Sequence, residues 1–139
     1  MFLAHEYDNL RFLKKMNLSH NQIEAVPEIP QQSLNELDMS HNVVSSAREF
    51  KGHNTIQSFN LENNKLVSTE GLRKMPLLKE LNLSNNQIEC IEHIREVPVL
   101  SRLLLKNNPI ESCSSFSAEL QSVTFLDLSN TKIQKKEDL

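Results

Sequence analysis

A chain of 139 residues, 24% of them charged and with a net charge of -3, can bury one core and has no basic surplus for a polyanion. Two glycines, one tyrosine and no tryptophan are poor material for a phosphate-cradling loop, and two cysteines are too few for a disulfide framework. No stretch approaches the roughly 18 consecutive apolar residues of a membrane span, and the opening MFLAHEYDNLRFLKK breaks its apolar residues with His5, Glu6 and Asp8, so no secretory segment is expected.

Residues 1–12 read as an N-terminal edge, with Tyr7 and Leu10 as the trailing half of a preceding repeat and Phe2 and Leu3 folding over it. From Leu13 an eleven-residue pattern begins and then recurs. LKKMNLSHNQI, LNELDMSHNVV, IQSFNLENNKL, LKELNLSNNQI, LSRLLLKNNPI and VTFLDLSNTKI start at 13, 34, 56, 78, 100 and 123, so the steps are 21, 22, 22, 22 and 23 residues. Each copy places apolar residues at its first, fourth, sixth and eleventh positions and an Asn at the ninth, which Thr131 replaces in the last copy. Such repetition marks a unit that cannot bury its apolar face alone and stacks on its neighbours.

The pattern L-x-x-L-x-L-x-x-N-x-L resembles leucine-rich repeats over essentially the whole chain, read as a single domain over 1–139. In the second half of the fourth copy Ile88, Ile91, Ile94, Val97 and Leu100 recur every third residue, as do Leu66, Thr69, Leu72, Met75 and Leu78 in the third. That period resembles the 22-residue class typified by a regulatory subunit of type-one protein phosphatase, which implies tight 3₁₀ or helical turns on the outer side. The expected fold is an α/β leucine-rich-repeat solenoid, with a curved parallel sheet on the concave face and short 3₁₀ or helical turns on the convex face. Leu81-x-Leu83 reads as a short strand with its apolar residues inward. Asn21, Asn42, Asn64, Asn86 and Asn108 line up as a structural ladder bonding backbone groups that would otherwise be orphaned.

Conserving a scaffold leaves the variable positions to carry function. The third, fifth and seventh positions of each copy are expected to point out of the concave face. The first four copies are polar there with an acidic bias from Glu36, Asp38, Glu62 and Glu80, read either as a solvated face or as a site for a basic partner. In the last two, Leu104 and Phe125 are apolar on adjacent strands, flanked by Arg102 and Lys106, with Asp127 beside them. An apolar centre with a charged rim suits a protein partner; the alternative is that these residues cover the C-terminal end.

Other residues carry less. His20 and His41 share a position in adjacent copies, but no carboxylate or cysteine completes a metal set, and Asn63, Asn85 and Asn107 follow in the same place. Cys113 takes a place filled by Val26 and Ile91 and reads as a small core residue, and reduced thiols are expected for it and Cys90. The N-x-S matches at Asn17 and Asn82 fall mid-strand and read as accidental. ESCSSFSAELQS reads as a loosened outer turn and KIQKKEDL as a solvated charged tail.

No nucleophile–base set, cofactor motif or metal site is expected, so the chain reads as a noncatalytic scaffold binding another protein. Nucleic acid, a small-molecule substrate and a membrane are not expected as partners. The alternative is a recognition domain of a larger regulatory or signalling enzyme. At the C-terminal end the pattern stops just past Ile133, which leaves a longer chain, dimerisation or capping by a partner as readings. The expected location is the cytoplasm, with the nucleus and the axonemal cytoskeleton also compatible.

Overall fold

The computed structural model describes residues 10–113 and 120–134. The readings of Phe2, Leu3, His5 and Tyr7, of 114–119 in the Ser-rich outer segment, and of the tail beyond Gln134 lie outside these residues.

Each copy contributes one strand of three residues: β1 Lys15–Asn17, β2 Glu36–Asp38, β3 Ser58–Asn60, β4 Glu80–Asn82, β5 Arg102–Leu104 and β6 Phe125–Asp127. They pair in parallel, in chain order, as one six-stranded sheet. Register is uniform, so Met16, Leu37, Phe59, Leu81, Leu103 and Leu126 form one column and the residues on either side of them form two others. The alternation explains this: the middle residue of each strand turns inward and its neighbours turn away, and a slip of one residue would expose the whole column.

Behind the sheet lies the core expected from the period of three. Ile88, Ile91, Ile94, Val97 and Leu100 are all at most 1% exposed, and Leu66, Thr69, Leu72, Met75 and Leu78 are fully buried. The turns on this side are shorter than helices. Leu72 N–H donates to Thr69 O (3.0 Å), Leu78 N–H to Met75 O (3.2 Å) and Leu100 N–H to Val97 O (3.1 Å), each closing a single i to i+3 turn. Between such turns the chain is extended enough for Arg73 to bridge Arg95 in parallel. Among the described residues there is no α-helix. Three residues per turn is the period both of a 3₁₀ turn and of an extended left-handed chain, so both present the same apolar column. Gly71 shows how closely the repeats approach: its φ is +96°, and a Cβ there would collide with the backbone of Ala47 one repeat earlier.

The Asn ladder holds successive repeats together as expected. The Asn86 amide donates to Leu61 O in the preceding repeat (3.0 Å) and to Leu83 O in its own (3.0 Å), and its oxygen accepts from Leu66 N–H (3.0 Å). Asn42, Asn64 and Asn108 repeat the arrangement, and all four side chains are buried. Asn21, in the first repeat, is exposed and among the described residues donates to its own Leu18 and Ser19 carbonyls.

Candidate partner-binding face

The face of the sheet away from the core is organised in rows that run across the strands, each fixed by the register. The third-position row reads Lys15, Glu36, Ser58, Glu80, Arg102, Phe125. Lys15 Nζ lies 3.0 Å from Glu36 Oε1, and Arg102 Nε donates to Glu80 Oε2 at 2.9 Å. Arg102 also lays its guanidinium over the Phe125 ring, 4.3 Å from the centroid. Two of the four carboxylates of the acidic strip are therefore paired with cations on neighbouring strands. At this exposure each ion pair is worth at most about 1 kcal/mol, and the cation–π contact about as much, so they orient side chains more than they stabilise the fold.

The fifth-position row reads Asn17, Asp38, Asn60, Asn82, Leu104, Asp127, and it does more than decorate the surface. Asn17 accepts from Ser19 N–H (2.9 Å), Asp38 from Ser40 N–H (2.9 Å) and Asn60 from Glu62 N–H (3.0 Å). Asn82 and Asp127 do the same for Ser84 and Ser129. Each is an Asx turn that caps the backbone as it leaves the strand. For Asp127 the Ser129 hydrogen bonds hold the carboxyl below its ordinary range, with a smaller contribution from the charge of Lys106. Leu104 is the one residue in the row that cannot accept such a bond. It is half-buried and pairs across the sheet with Asp127, diagonal to Phe125, which is 44% exposed. A leucine in place of a backbone cap gives up a hydrogen bond worth about 1 kcal/mol and gains an apolar surface.

The seventh-position row differs from expectation. Ser40 and Ser84 are buried rather than outward-facing, because the strands end two residues earlier and the chain turns back over them. Glu62 and Lys106 depart from the serines of this row. Glu62 is half-buried and receives the amides of Asn82 (3.4 Å) and Asn85 (3.1 Å), while Lys106 is exposed.

Alongside runs a row with a backbone explanation that periodicity could not supply. His20, His41, Asn63, Asn85, Asn107 and Asn130 all have φ between 54° and 57°. Asn and His are among the side chains that tolerate the left-handed region, so this position selects them. The imidazoles of His20 and His41 stack with centroids 4.3 Å apart and planes 7° apart, and the Asn63 amide donates to His41 Nε2 (3.3 Å). Stacked parallel rings direct their nitrogens side by side rather than at a common point. No group of three or more His, Cys, Asp or Glu is placed to hold a metal among the described residues.

Two hollows among the described residues bear on the site. One of about 380 Å³ lies on the sheet face over β1–β4 and is lined by Glu36, Asp38, Ser58, Asn60, Glu80 and Asn82 among others. The other, about 580 Å³, sits at the edge where the chain enters β4 and β5 and is lined by Asn54, Lys74, Pro76, Glu96, Val97 and Pro98, so it includes none of the expected site residues. Cys113 is buried as a core residue, its thiol pKa raised by desolvation, and Cys90 is half-buried; both are free. No helix among the described residues is long and apolar enough to cross a membrane.

The leucine-rich-repeat pattern matches residues 54–96 as two tandem copies and residues 31–47 as a single repeat. No curated protein matches the chain. Residues 31–47 and 54–96 are therefore leucine-rich repeats within a parallel-sheet solenoid, and such units generally mediate protein–protein interaction.

Proposed function

We propose that the chain is a noncatalytic binding module that grips another protein on its concave sheet face, with β5 and β6 as the principal contact. The observation that carries this reading is Leu104. Five of the six strands place an Asx cap at this position, and β5 gives it up for an apolar side chain diagonal to the exposed Phe125 on β6. Arg102 and Lys106 border the pair, and an apolar centre within a charged rim is the anatomy of a binding hot spot. Leu126 supports the same strands: it stands in a column otherwise at most 9% exposed and is itself 39% exposed, which adds to the apolar surface at β6. The 22-residue class and a cytoplasmic regulatory-subunit role belong to the same proposal, supported by the period-of-three core and the free thiols.

The experiment is affinity capture with the wild-type chain and a Leu104→Asn, Phe125→Thr double variant. Asn restores the cap that the other strands carry, so the variant is expected to melt at or above the wild-type temperature. Binding of the captured protein is expected to fall by about tenfold or more, since hot-spot truncations cost about 2 kcal/mol or more. Equal capture by both chains would remove the C-terminal strands from the contact.

A further inference from the structure

We propose that the sheet face holds its partner at two anchors of unlike chemistry, a Lys or Arg side chain over β3 and an apolar side chain on Leu104 and Phe125, so that the bound segment crosses the strands in one direction only. This rests on the binding role proposed above and specifies the partner's chemistry. Carboxylates alone would describe a solvated face. Here Glu36, Asp38 and Glu80 border a hollow, with Glu62 beyond its lining, and the apolar anchor stands on the same face two strands away.

The hollow exists because β3 carries small side chains. Ser58 sits between Glu36 and Glu80 in the third-position row, and each of those carboxylates is drawn outward, to Lys15 on one side and Arg102 on the other. The space left is the hollow of about 380 Å³, with Ser58 and Asn60 among its lining. Glu62, at the upper end of the same strand's row, is held by two carboxamide donors, which orient a carboxylate without neutralising it. Asp38 uses an oxygen to cap Ser40, and neither it nor Glu62 joins an ion pair among the described residues.

Charge then fixes direction. Across β1–β4 the outward side chains Glu36, Asp38, Glu62 and Glu80 face one cation, Lys15; across β5 and β6, Arg102 and Lys106 face one carboxylate, Asp127. A basic group is favoured over β3 and disfavoured over β5, and the reversed segment would also bring its apolar residue onto the carboxylates. At about 4.8 Å per strand the anchors lie about 10–14 Å apart, which suits about four residues of extended chain or about two turns of helix.

The test uses the full chain as bait for a phage-displayed random peptide library of about twelve-residue inserts, a length that spans both anchors. Enriched peptides are expected to carry Lys or Arg about four, or about seven, positions from an aromatic or aliphatic residue. Synthetic copies are then measured by fluorescence anisotropy against two variants that leave the fold intact. Asp38→Asn, Glu62→Gln keeps the Asx cap at 38 and one of the two oxygens that accept from Asn82 and Asn85 while removing two charges; it is expected to weaken binding about tenfold and flatten its salt dependence. Leu104→Asn is expected to weaken it by a similar factor. Peptides that lose affinity to Leu104→Asn but ignore the charge variant would overturn the two-anchor inference and leave the β5–β6 contact standing. Peptides indifferent to both variants, or no enrichment at all, would overturn both.

Discussion

Where the fourth repeat meets the third, Asn86 ties the two through three hydrogen bonds, donating to carbonyls on both sides of the junction and accepting a buried amide. Where the sixth meets the fifth, Thr131 stands in the Asn position and donates its hydroxyl to the Leu128 carbonyl of its own repeat (2.9 Å), so this position offers Ile110 N–H no carboxamide. A different rung is missing one junction earlier and returns at the last, where Lys132 N–H donates to Ile110 O (2.9 Å). Lys65 and Gln87 each donate to the eleventh-position carbonyl of the preceding repeat, but Pro109 has no N–H to give Ile88. Exposure follows the bonds: Leu81 and Leu103 are fully buried, and Leu126 in the same column is not. The same pattern of apolar residues is therefore expected to give a firmly tied middle and a more loosely held sixth repeat, and the sixth repeat is where exposed Phe125 and Leu126 stand. In a solenoid, stability is a sum over neighbouring interfaces, so a junction with fewer rungs is expected to open more readily.

Removing a central rung tests this most severely. Asn86→Ala leaves the Leu66 amide and two carbonyls without their partners in a buried setting, and a loss of roughly 3 kcal/mol or more is expected, read as a lower denaturant midpoint. A second effect belongs to acid. His53 is 8% exposed; its Nε2–H donates to Gln31 O (3.0 Å), and Nδ1 accepts from the Thr55 and Ile56 amides, an arrangement only the neutral ring can make. Burial holds its pKa below the ordinary 6.5, against a smaller opposing effect from the Gln31 hydrogen bond. The unfolded chain thus binds the proton more readily, so stability is complete above pH 6.5 and declines as pH falls through that value toward the folded pKa. His53→Met, with the residue that Met75 supplies one repeat later, is expected to flatten this acid limb in melts recorded from pH 7.5 to about 5. The smallest effect should come from mending the end. Thr131→Asn is expected to gain about 1 kcal/mol and to slow amide exchange at Ile110, whereas an unchanged exchange rate would mean that the missing rung does not set the looseness.

Much of this was legible in the sequence, because it depends on spacing. The six strands fall on the six copies, the period-of-three residues form the core, and the ninth-position Asn residues bond backbone across the junctions. What was not legible depends on dihedral angles and on pairs of residues brought together by folding. Composition shows His20 and His41 as polar surface, but only φ shows why a left-handed position takes His or Asn. Asp38 and Asp127 read as free charges, and only the bond to the amide two residues on reveals them as caps. Ser40 and Ser84 were placed outward by extending the alternation past the end of a strand that stops after three residues. The period of three could not separate a 3₁₀ turn from extended chain, since both eclipse every third side chain.

The third-position row also governs how such a chain can be edited. Every junction has the same backbone register, so excising one 22-residue unit would leave the backbone bonding intact. Excising the unit that holds Ser58, however, would set Glu36 directly beside Glu80, two carboxylates on adjacent strands at about 4.8 Å. Excising the unit that holds Arg102 would strand Glu80 against the ring of Phe125. The backbone accepts its units in any order, while the side chains across the sheet spell out one order and penalise the shuffled ones.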